Sequence, residues 1–210
     1  MKKHINEVTE KLSIQQNALI EVSEEIYKNE PTVNDRNLFL FSVIKRAIDV
    51  IDTFNYATRT YNLNTQLPLL RLQIDNCLIL KAAIILKDEK TIYFEVTEPK
   101  FQIKNYKHPV TGDKLSERGL AKDISNQFPD FLSLYSFCCN FVHFSRKAIH
   151  ATVSAKSPLT FCVDVSVGNK DLKEDVLNNA NSMIAVNKVL ARLIEDAYSE
   201  LPKNSEEDSQ

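Results

Sequence analysis

Along most of this chain apolar residues recur at helical spacing, but the stretch 65–87, TQLPLLRLQIDNCLILKAAIILK, is apolar on nearly every side. Leu69, Leu70, Leu72, Ile74, Cys77, Leu78, Ile79, Leu80, Ala82, Ala83, Ile84, Ile85 and Leu86 leave it no clean polar face. A helix without a polar face belongs in a core or in a membrane. Arg71, Asp75 and Lys81 interrupt the run before it reaches the ~18 uncharged residues that a membrane span requires, and it is too long for one buried strand. The pattern therefore predicts a buried central helix, with Thr65 as N-cap and Pro68 in the first turn, where the missing N–H is not needed.

The flanking segments carry narrower stripes. Residues 1–29 place Ile5, Val8, Leu12, Ile14, Leu19, Val22 and Ile26 at roughly helical spacing. This predicts a peripheral amphipathic helix, packed on the outside or against a partner and ended by Glu30-Pro31. Asn34 or Asp35 caps a second helix over 36–61, with Leu40, Ile44, Ala47, Ile48, Ile51 and Phe54 inward. The short link 62–64 returns the chain as an antiparallel neighbour. Residues 88–113 read as irregular, with Pro99, Pro109 and Gly112 as breakers, and are long enough to cover an opening. A short helix follows over 113–125, and Pro129 opens another over 130–144. Residues 148–167 are rich in β-branched side chains around Lys156-Ser157-Pro158, the pattern of a small β-hairpin. A last long helix spans 171–201, and the acidic tail 202–210 is expected to be disordered. The expected fold is thus mainly all-α: one helical domain over 1–201, an antiparallel bundle around a buried central helix.

Composition narrows the function. The 210 residues fit one domain with a substantial core. Three glycines argue against a glycine-built phosphate loop or a loop-rich α/β enzyme. With Lys+Arg 26 against Asp+Glu 28 and a net charge of -2, nucleic acid could be held only by a local basic patch. Cys77, Cys138, Cys139 and Cys162 lie in apolar surroundings without a CxxC. With no signal peptide in view they read as reduced core thiols of a cytoplasmic protein, a vicinal Cys138-Cys139 redox pair being the minor alternative. There is no P-loop, dinucleotide fingerprint or GxSxG elbow. His108, His143 and His150 lack metal-ligand spacing. No metal, cofactor or membrane is expected.

Two groups of residues carry candidate chemistry. Arg71 and Asp75 are four apart and share a helical face among leucines, where an unpaired charge is costly. They form either a self-contained ion pair or one wall of a polar cavity shared with another helix. On the 130–144 helix, Ser136, Asn140 and His143 follow at steps of four and three and share a face. An imidazole at His143 titrates near neutral pH and can serve as base, acid or ligand, or can simply bond backbone near a helix end.

The order of these elements is R-x3-D (Arg71, Asp75), KLSERGLAKDI, Tyr135, then N-x-x-H-x-S (Asn140, His143, Ser145). Over residues 36–200 this resembles a widespread group of bacterial all-helical proteins with an arginine–acid helix, a tyrosine–histidine–serine helix and a long closing helix. More distantly it is similar to HEPN-type helical domains of toxin and phage-defence systems, many of which are metal-independent ribonucleases. The resemblance implies His143 as the base, Arg71 or Arg146 as the cation and Asn140 as an orienting group, with Asp75, Tyr135 and Ser145 around them. The HEPN motif also has an arginine shortly before its histidine, where this chain has Ser136, Phe137 and Cys138. Two readings stand: a non-enzymatic helical interaction or assembly module of a bacterial stress or defence system, forming a homo-oligomer or meeting a protein partner, and a HEPN-like ribonuclease or toxin component acting on RNA.

Overall fold

The computed structural model describes residues 2–31, 34–87, 103–142, 153–157, 160–163, 168 and 172–201. Six α-helices occupy most of them: α1 (Lys2–Asn29), α2 (Asp35–Arg59), α3 (Leu63–Ile85), α4 (Glu117–Ser125), α5 (Phe131–Val142) and α6 (Lys173–Glu200). A 3-10 turn, Ile103–Asn105, precedes α4. Strands β1 (Val153–Ser157) and β2 (Thr160–Val163) pair antiparallel, with Val153 opposite Val163. The architecture is the all-α bundle expected, and the hairpin falls within 148–167. The acidic tail lies outside the described residues.

Helix α3 is the inner rod. Leu70, Ile74, Cys77, Leu80, Ala82 and Ala83 are fully buried, and α3 lies against α6, α2, α5 and α4. It starts earlier than its apolar pattern implies. Asn62, not Thr65, is the N-cap, accepting from the Thr65 N–H at 3.1 Å, so Pro68 sits inside the helix rather than in its first turn. The N–H that proline lacks would have reached the carbonyl of Asn64, an exposed residue where water can serve instead. Asn62→Ala should cost about 1 kcal/mol, measurable as a lower urea midpoint at unchanged m-value.

Helices α1, α2 and α3 run up, down and up. Helix α6 departs from the antiparallel expectation. Gln66 meets Val176, Gln73 meets Asn187 and Lys87 meets Glu200, so α6 runs parallel to α3. The reason lies in α5, which lies antiparallel to α3 and returns the chain to the start of α3. There Phe141 clusters with Ile5, Leu63, Leu67 and Val176. At the same end Gly168, with φ +79°, packs so closely on the carbonyl of Thr60 that any side chain would collide with it.

Helix α1 packs against α2 and α6. Leu12, Leu19 and Ile26 are buried against α2 and α6, each worth ~1.5–3 kcal/mol of burial, while Ile14 of its expected stripe is exposed. Polar contacts supplement this thin stripe. Asn55 donates to the Thr9 carbonyl and the Ser13 hydroxyl. Asn187 donates to Gln15 at 2.9 Å, and Gln15 to the Ile184 carbonyl at 3.0 Å. Gln73 donates to Asn187 at 2.7 Å and receives a bond from Asn76 at 3.0 Å. These side chains form a relay of amides through the core from α1 through α6 to α3.

The opposite end of the bundle is closed by Arg36, which is 2 % exposed. Its guanidinium pairs with Glu30, donates to Asn37 and to the carbonyls of Tyr198 and Leu201, and lies 4.9 Å from the Tyr198 ring centroid. One cation thus joins the ends of α1 and α6 to the start of α2.

Candidate functional site

The Arg71 side chain is 13 % exposed and stands where α3, α4 and α5 converge. Helical spacing puts Asp75 one turn above it, and the two pair. Ser116 caps α4 by accepting from the Gly119 N–H at 3.0 Å. This sets Glu117 in the first turn, where a helix N-terminus favours an acid, and from there it meets Arg71 at 2.6 Å. Helix α5 contributes Tyr135 and Cys139, again four apart. The guanidinium stacks 4.9 Å from the Tyr135 ring centroid and donates to the Cys139 sulfur at 3.3 Å. Tyr135 in turn donates its hydroxyl to Glu117 at 3.2 Å.

Arg71 is therefore committed in four directions, to two carboxylates, a thiol and a ring. Burial raises the Tyr135 phenol above its ordinary range, with Cys139 and Glu117 adding to the effect and Arg71 opposing it. The phenol stays neutral and acts as a donor. Burial also pushes the Cys138 thiol up to about 12, with Arg71 opposing, and burial raises Cys77 further. Both are inert core thiols. Cys77, Cys138 and Cys139 are free.

Beside this cluster lies an open groove of about 750 Å³. Leu78, Ile79 and Ile103 give it an apolar floor, Asp75, Glu117 and Tyr135 line the side shared with the cluster, and Arg46, Lys104 and Arg118 add cations from three different elements. None of those three cations has an ion-pair partner among the described residues. Partial burial lowers the Arg46 pKa, so this side chain carries desolvation without an anion beside it.

The geometry brings Arg71, Asp75 and Tyr135 together and makes the Arg71–Asp75 pair part of a larger cluster with Glu117 and Cys139. Asn140 is exposed and has no described hydrogen bond to the cluster. Ser136 bonds back to the Leu132 carbonyl of its own helix. The face of α5 that meets Arg71 carries Tyr135 and Cys139, not Ser136 and Asn140. His143, Ser145 and Arg146 lie outside the described residues. Sequence reasoning missed Glu117, Cys139 and Arg46. Glu117 had a usable signal, an acid directly after a capping serine, but nothing in sequence alone turns that helix start towards α3. No group of three His, Cys, Asp or Glu side chains among the described residues could hold a metal, and none of the described helices is long and apolar enough to cross a membrane.

The fold and cluster define an all-α helical bundle with a braced arginine beside a cation-bearing groove. No family model matches the chain, and no curated protein or solved structure matches it either.

Proposed function

We propose that this chain is a non-enzymatic helical interaction module, working through self-assembly or through a protein partner. Its setting in a bacterial stress or defence system rests on the sequence resemblance. The observation that supports a binding role over catalysis is the way Arg71 is engaged by neighbouring side chains. A cation that stabilises a developing phosphorane must present free N–H donors where that charge forms. Here each guanidinium nitrogen already donates one bond, Nη1 to Asp75, Nη2 to Glu117 and Nε to Cys139. The guanidinium braces three helices, and its charge is already matched by two carboxylates.

Incubating the purified chain with single-stranded RNA in EDTA tests this reading. Intact RNA over hours is the expected result. Cleavage that vanishes in His143→Ala would overturn it in favour of a HEPN-like ribonuclease. Light scattering on the eluting protein then separates the two forms of the proposal: a mass well above 24.0 kDa marks self-assembly, and a monomer marks a heterologous partner.

A further inference from the structure

We infer that the groove between α2, α4 and the Ile103–Asn105 turn is a docking site for an acidic, amphipathic peptide segment of a partner protein. The inference rests on the interaction-module reading and names the partner's chemistry. Three features carry it. The floor of Leu78, Ile79 and Ile103 is apolar, which suits side chains that gain by leaving water. The cations Arg46, Lys104 and Arg118 come from separate elements, and none is paired with an acid among the described residues. Their charge therefore complements acids distributed along a chain better than it complements a single anionic head. The groove also contains the carboxylates of Asp75 and Glu117 and the hydroxyl of Ser116, acceptors that backbone N–H groups of a peptide can meet.

The groove disfavours RNA. The one aromatic ring lining it among the described residues, Tyr135, already carries Arg71 against its ring, which competes with a base for the stacking that sequence-tolerant single-strand binding uses. At about 750 Å³ the groove lies within the range of ligand pockets and is large enough for a few residues of an extended segment.

Fluorescence anisotropy on the full chain tests the assignment with three labelled probes: an eight-residue peptide alternating Glu and Leu, its Lys/Leu counterpart and a twelve-nucleotide RNA. The Glu/Leu peptide is expected to bind at least tenfold more tightly than the other two, more weakly as salt rises. Lys104→Glu and Arg118→Glu should each lower that affinity about tenfold. Both side chains are exposed and have no described partner, so the fold should be kept, and an unchanged circular-dichroism spectrum and urea midpoint check this. Equal binding of the acidic and basic peptides would overturn the inference, as would wild-type affinity in both folded variants. Tighter binding of RNA, lost in the same variants, would make the groove a nucleic-acid site and overturn it too. A failed peptide titration leaves the interaction-module reading intact, because that reading falls on RNA cleavage and not on this groove.

Discussion

Arg36→Ala should destabilise the fold by about 3–5 kcal/mol, the usual cost of removing one partner from a buried charge pair. The deletion would take the guanidinium away from Glu30, whose side chain is largely buried. It would also remove the donor to the carbonyls of Tyr198 and Leu201 at the end of α6, where a cation is favoured by the helix dipole. Arg36→Lys should recover only part of the loss. An ammonium keeps the charge but cannot present a planar fork to Glu30, two carbonyls and a ring at once. Urea unfolding at constant m-value reads both effects. A loss below ~1 kcal/mol in Arg36→Ala would mean that the three helix ends are held by apolar packing alone.

Arg71→Met should cost about 2 kcal/mol. Methionine retains much of the apolar stem, so the loss is assigned to the head group. The bond to Asp75 is charge-assisted and largely shielded, a class worth ~1.5–3 kcal/mol. The bond to Glu117 adds little, because that carboxylate is half exposed and solvent screens it. The stacking on Tyr135 adds ~0.5–1 kcal/mol. Glu117→Gln should therefore cost under ~1 kcal/mol, well below the loss in Arg71→Met. If Arg71→Met unfolded at the wild-type midpoint, the brace would be energetically idle and Arg71 would have no structural role.

The long-range periodicities were the legible part of this chain. Helix α3 could be identified because leucine and isoleucine occur all round it. Helices α2 and α6 were legible as broad apolar stripes, and the hairpin as a run of β-branched residues. What stayed hidden was polar. Arg36 reads in sequence as an ordinary residue at a helix start, and only its meeting with Tyr198 and Leu201, more than 160 positions away, makes it a clamp. Gln66, Gln73 and Asn76 stand at steps of seven and three in an otherwise greasy rod. That spacing gave notice of a buried polar stripe, yet counting apolar residues passes over it. Helix α1 hides polarity of the same kind: the Thr9 carbonyl and the Gln15 side chain tie it to α2 and α6 through hydrogen bonds that a hydrophobic pattern does not record. In the cluster, Arg71 and Asp75 were legible from their spacing, whereas Glu117 and Cys139 depend on how two separate helices turn towards them.

The amide relay does little for net stability. Each buried bond gains ~0.5–1.5 kcal/mol, while the unpaired side-chain oxygens of Asn55, Gln66 and Asn76 each forfeit ~1–3 kcal/mol. Its consequence is mechanical. A piston stroke of one turn, 5.4 Å, would break the bonds of Gln15, Gln73 and Asn187 together, so the relay fixes the register of α1, α3 and α6 against one another. The α4–α5 pair, by contrast, is fastened to those helices by the ionic bolt at Arg71 and by grease alone elsewhere among the described contacts.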